Sequence, residues 1–212
     1  MVDNSYNQII SDVLRFSDFG CSSDNWIGYF EGNKRFNKKI AHEIVSFFSN
    51  YFKDELNDFV IGVSYFVDSK KLNLKTSYKI LNEVIKIEKE LIETGYVVVI
   101  NEDFYVDNQE EFDEKYLKLS TTFRFFKSNE KSLKSLSFIG ICDSHIEQSG
   151  GYCFFISVKN NVIIYPHGDN SGYGFYSIDN TKENIAHDFL KKISKTENFD
   201  SFLCSEGNIK KI

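Results

Sequence analysis

From Phe36 to Phe52, apolar residues return at helical spacing: Phe36, Ile40, Ala41, Ile44, Val45, Phe47, Phe48, Tyr51 and Phe52. A helix with so wide an apolar stripe gains its stability from packing and has to lie against a second apolar surface. The chain supplies one at once. Residues 58–67 (DFVIGVSYFV) are dense in β-branched and aromatic side chains, which suit a pleated, buried strand. The stretch therefore demands a helix packed on a sheet.

More of the same pattern flanks it. Ile9, Ile10, Val13, Leu14 and Phe16 predict a short amphipathic helix over residues 5–19, ending before Gly20. Trp26 to Phe30 reads as a strand. A second long helix is predicted from Thr76 to Thr94, with Tyr78, Leu81, Val84, Ile85, Leu91 and Ile92 inward and Gly95 just past its end. Strands are expected at Tyr96–Ile100 and Phe104–Val106, around a turn at Asn101, Glu102 and Asp103. Further strands are expected at Thr121–Phe126 and Ser137–Cys142.

Tyr152–Val158 and Val162–Tyr165 flank Asn160 and Asn161, a pair suited to a tight hairpin turn. Gly174–Ile178 extends the hairpin to a meander. A last helix is expected from Thr181 as N-cap through Ile185, Ala186, Phe189, Leu190 and Ile193. Helices and strands come in runs rather than in strict alternation. The expected class is α+β: an antiparallel or mixed sheet with two or three packed helices, in a single compact domain over residues 1–212 with a soft boundary at 107–118.

Charge narrows the function. The net charge is −6, which disfavours binding to phosphate backbones and favours basic partners. The N-terminus has no basic stretch followed by an apolar one, and no run approaches the about 18 apolar residues that span a bilayer. The four cysteines, Cys21, Cys142, Cys153 and Cys204, are far apart and form no Cys-x-x-Cys pair, as expected for reduced thiols in a cytoplasmic protein.

The strongest charge feature is residues 101–115 (NEDFYVDNQEEFDEK). Glu102, Asp103, Asp107, Glu110, Glu111, Asp113 and Glu114 face a single Lys115, with Phe104, Tyr105 and Phe112 among them. Carboxylates there would steer a basic protein and the aromatics, notably Tyr105 and Phe112, would anchor it. The plain alternative is a solvated surface. The spacing is not that of a calcium loop.

Catalytic and metal patterns fare poorly. Cys142 and His145 have a Cys-x-x-His spacing, but no second close pair completes a zinc site. Cys142 or Cys153 with His145, His167 or His187 lacks any local signature of a thiol–imidazole pair. No nucleophile elbow, phosphate loop or His-Glu-x-x-His motif occurs, and the aromatic strand at Tyr152–Phe155 lacks the basic, glycine-rich pattern of an RNA platform. No cofactor or metal is expected. One loop stays open to chemistry: Tyr165 to Gly174, in which His167 and Asp169 form an acid/base pair for a hydrolase or transferase, or simply supply turn hydrogen bonds.

The order of elements carries a resemblance. Trp26 to Gly32 leads into the aromatic helix and the strand at 58–67, and Tyr152–Ile164 closes on Tyr165, Pro166, His167, Gly168 and Asp169. This resembles an uncharacterised bacterial family known only as a domain of unknown function. Its members carry Phe-Glu-Leu-Gly before a helix and a late strand ending in Tyr-Asp-Asp-Arg-Gly. That leucine and that arginine are absent here.

As an acidic, aromatic-rich α+β chain without catalytic motifs, the protein is also similar in kind to the immunity proteins of bacterial toxin systems. That similarity implies a binding protein that neutralises a cognate toxin domain, a nuclease by its basicity, with no nucleic acid or membrane as partner. Oligomeric state is left open.

Overall fold

The computed structural model describes residues 9, 24–35, 37–64, 96–104, 119–142, 152–167, 172–181, 184–205 and 207–212. Within them the fold is α+β, as expected. Nine strands form one sheet: β1 (Trp26–Gly32), β2 (Val60–Ser64), β3 (Tyr96–Phe104), β4 (Leu119–Lys127), β5 (Tyr152–Ser157), β6 (Val162–His167), β7 (Gly172–Ser177), β8 (Phe199–Ser205) and β9 (Asn208–Lys211). Their order is β3-β4-β2-β5-β6-β7-β1-β8-β9. Every pairing in it is antiparallel. Among the described elements, three α-helices accompany the sheet, α1 (Lys38–Tyr51), α2 (Glu130–Cys142) and α3 (Ile185–Ile193), and a 3-10 turn at Lys53–Asp58 leads from α1 to β2.

The aromatic helix forms for the reasons its pattern gives. The Asn37 side chain accepts from the backbone N–H groups of Lys39 and Ile40 at 2.9 and 3.1 Å, which satisfies two donors of the first turn. Ile40, Ala41, Ile44, Phe48 and Phe52 are all buried. They join Leu133 and Leu136 of α2 and Phe189 and Leu190 of α3 in one core with Ile27, Phe30, Phe155, Ile164, Phe175 and Phe199 of the sheet. All three helices therefore cover the same face. Phe189 lies at its centre, with ring centroids 4.9–5.6 Å from those of Phe30, Phe47, Tyr51, Phe52 and Phe175.

The opposite face is buried too. Trp26, Val60, Phe125, Phe154, Ile156, Ile163, Tyr165 and Tyr176 all have little exposure, although they alternate with residues of the helix-covered core. A sheet buried on both faces reads as continuous apolar runs, as Tyr152–Ile156 and Val162–Tyr165 do.

The hairpin of β5 and β6, its turn through Asn160 and Asn161, and the third strand β7 stand where the sequence places them. Asn161 takes a positive φ of 53°, which asparagine tolerates. Three expectations are corrected. Ser137–Cys142 is helical, the end of α2. Asn129 Oδ1 accepts from the Ser132 N–H at 2.9 Å and the Ser132 hydroxyl accepts from the Asn129 N–H at 3.2 Å, so a reciprocal cap starts a helix that runs on through these residues.

Asn101, Glu102 and Asp103 form no turn. They continue β3 and pair with Thr122, Thr121 and Ser120 of β4, and the ladder outweighs their turn preference. Thr181 is not the cap of the last helix. Its N–H is taken by the Asp179 carboxylate at 3.0 Å, and Asn184 caps α3 through the Ala186 N–H at 2.9 Å. The expected helices at 5–19 and 76–94 and the boundary at 107–118 lie outside the described residues, apart from a helical, buried Ile9. No helix among the described residues is long and apolar enough to cross a membrane.

Candidate functional site

The acidic stretch begins at the rim of the sheet. Glu102 and Asp103 lie near the end of β3, the terminal strand of the order, which pairs only with β4 among the described residues. Tyr105, Asp107, Glu110, Glu111, Phe112, Asp113 and Glu114 lie outside the described residues. What the structure adds is the setting of the first two. They belong to a nine-residue strand, Tyr96–Phe104, whose preceding apolar half carries no lysine or proline.

Packing accounts for the two thiols whose side chains are described. Cys153 and Cys204 are free. Cys153 packs against the helix-covered core, and burial pushes its thiol far up, which suppresses the thiolate that a nucleophile or metal ligand requires. Cys142 is the last residue of α2, and His145 lies outside the described residues. Among the described residues no three of His, Cys, Asp or Glu converge as metal ligands.

His167 sits at the end of β6, half-buried, and Asp169 lies outside the described residues. The structure brings to His167 a set of residues that sequence reasoning missed. Its ring stacks on Tyr29 of β1 at 4.7 Å and 12°, and Tyr29 stacks on Phe202 of β8 at 4.7 Å and 12°. Trp26 joins the row, 5.7 Å from Tyr29, and its indole N–H donates to the Tyr165 hydroxyl at 3.2 Å.

Two glycines make the row possible. β7 lies between β6 and β1, and on this face it presents Gly172 and Gly174, so rings from its neighbours meet across a strip without side chains. A Cβ on Gly174 would run into the Tyr165 ring. On β1 a bulge between Trp26 and Gly28 places Trp26 and Tyr29, three residues apart, on one face. Gly28 takes φ +151° there, and a Cβ on it would collide with the Phe202 carbonyl oxygen.

The row ends in charge. Glu31 of β1 stands directly opposite Asp200 of β8. Desolvation raises the Glu31 carboxyl above the usual range; Asp200 adds to the rise and Lys211 of β9 opposes it. Lys211 Nζ lies 2.6 Å from Asp200 Oδ2. This face thus carries the half-buried rings of Tyr29, His167 and Phe202 beside the carboxylates of Glu31 and Asp200. No consecutive motif announces it, because its members come from five strands spread over Trp26 to Lys211. The only sequence signal was the Gly-x-Gly alternation at 172–174 beside two aromatic strands.

No protein-family model, no curated protein and no solved structure matches this chain.

Proposed function

We propose that the protein is an immunity-type binding protein that neutralises a cognate basic toxin domain, a nuclease by that basicity. One observation carries the reading: the run of seven carboxylates starts within β3, the terminal strand of the described sheet, whose outer edge no described strand pairs. An open strand edge offers main-chain hydrogen bonds to a partner, and carboxylates beside it select a basic one and speed the encounter. The net charge of −6 acts in the same direction.

Co-expression with the product of the adjacent upstream gene provides the test. A co-purifying complex and relief of toxicity are expected; two separate proteins with toxicity undiminished overturn the reading. Reversing the charge of Glu102, Asp103, Glu110, Glu111, Asp113 and Glu114 should slow association at least about tenfold and flatten its salt dependence. An unchanged on-rate would remove this surface from the account.

A further inference from the structure

We propose that β9, at the other end of the sheet, is a strand-addition site for an extended segment of a partner protein in which apolar and acidic residues alternate. The proposal stands apart from the toxin-binding reading, which concerns β3. All of Asn208–Lys211 is exposed, with Ile209 at 48% and the following Ile212 at 37%, among the few large apolar residues so exposed.

The hydrogen-bond register shows which backbone groups of β9 no described strand takes. The Ile212 N–H donates to the Ser201 carbonyl at 2.9 Å, and Lys211, Lys210 and Ile209 stand opposite Phe202, Leu203 and Cys204. Bonded and non-bonded pairs alternate along an antiparallel ladder, so Lys210 bonds inward while the N–H and C=O of Ile209 and Lys211 point away from the sheet. Those groups are the template that an added strand reads.

Charge selects the occupant. Lysine on an edge strand is a device against indiscriminate pairing. A second copy of this chain, paired about a two-fold axis so that Ile209 meets Lys211, would set Lys210 directly against Lys210, and like charges directly opposite are unfavourable. An acidic residue opposite Lys210 converts that repulsion into attraction. Apolar residues on either side of it would fall opposite Ile209 and the aliphatic stem of Lys211, whose ammonium is already held by Asp200. The edge thus excludes itself and basic strands and admits an apolar–acidic one.

The probe is a capped synthetic strand alternating valine and glutamate, titrated into the isotope-labelled protein and followed by amide chemical shifts. Shifts at Ile209 and Lys211 are expected. Lys210→Glu should weaken binding about tenfold. Ile209→Pro should abolish it, and because the N–H it removes points to solvent, the β8–β9 ladder and the fold survive. The proposal is overturned if the probe leaves β9 unshifted, if Lys210→Glu or Ile209→Pro binds it as well as the parent does, if a valine–lysine strand binds equally, or if sedimentation shows a dimer that Ile209→Pro dissociates.

Discussion

The two faces of the sheet are made by the same strands and are buried to a similar degree, yet they use their rings differently. On the helix-covered face the rings are mostly phenylalanine, and Phe189 touches five others with no polar atom to satisfy. Its deeply buried phenol among the described residues, Tyr173, donates to Ser137 Oγ at 2.6 Å, and burial pushes that phenol up. On the opposite face Phe125, Phe154 and Phe202 share the surface with five rings that carry polar tips: Trp26, Tyr29, Tyr165, His167 and Tyr176. They lead outward to Glu31, Asp200 and Lys211. The first face is built for burial, which is non-directional and tolerates any ring that fits. The second needs particular atoms in particular places, and glycines to let them approach.

The largest effect should come from the first face. Phe189→Ala removes the ring that α3 inserts among its neighbours, and a loss of about 3–5 kcal/mol is expected in urea denaturation. A loss under about 1 kcal/mol would mean that the cluster is not the principal core. Gly174→Val comes next. Its side chain would occupy the space of the Tyr165 ring, and overpacking of this kind costs about 1–3 kcal/mol. Pairing it with Tyr165→Ala should recover part of that cost; strict additivity of the two changes would separate Gly174 from the ring row.

A smaller effect is expected of Tyr165→Phe, which keeps the ring and removes the acceptor of the Trp26 N–H, at about 1 kcal/mol. Phe189→Leu, by contrast, changes only the shape of an apolar group. If Tyr165→Phe were silent in thermal unfolding, the polar tips of the second face would be incidental and the contrast between the faces would collapse.

The smallest effect is electrostatic. The Glu31 carboxyl is raised in the folded protein, so its penalty is absent below its ordinary pKa near 4.5 and complete once pH has climbed past the raised value. Glu31→Gln should therefore stabilise slightly at neutral pH and make no difference in acid. Asp179 runs the other way. Hydrogen bonds from Thr181, Asn161 and Ser177 hold it at about 2, so what it contributes is present above about 3.8 and is lost as pH falls towards 2. Asp179→Asn should remove that part of the acid transition, measured by denaturation at stepped pH, and an unaltered acid limb would show that the turn does not depend on the charge.

Much of the helix-covered face was legible in the sequence. The spacing of Ile40, Ile44, Phe48 and Phe52, the hairpin at Asn160 and Asn161 and the strands around them depend on local periodicity, and each stands where that periodicity puts it. Failures came where a hydrogen-bond partner outside the segment overrode its composition. The residues Ser137–Cys142 have strand-like composition, but a cap at Asn129 eight residues before Ser137 had already committed them to a helix. Asn101 to Asp103 have turn-like composition, but Thr122, Thr121 and Ser120 hold them in a ladder. β8 and β9 were missed because neither is rich in β-branched residues; β8 is held by β1, some 170 residues earlier.

By itself the sequence determined that an aromatic helix must lie on a sheet, that the class is α+β, and that acidity gathers at 101–115. Those are properties of composition and short-range period. Only the tertiary structure decided that β1 sits between β7 and β8, which creates the ring row, and that β9 is terminal among the described strands. Strand order is set by which surfaces bury one another across the whole chain, and a period of two along one strand contains no information about its neighbour.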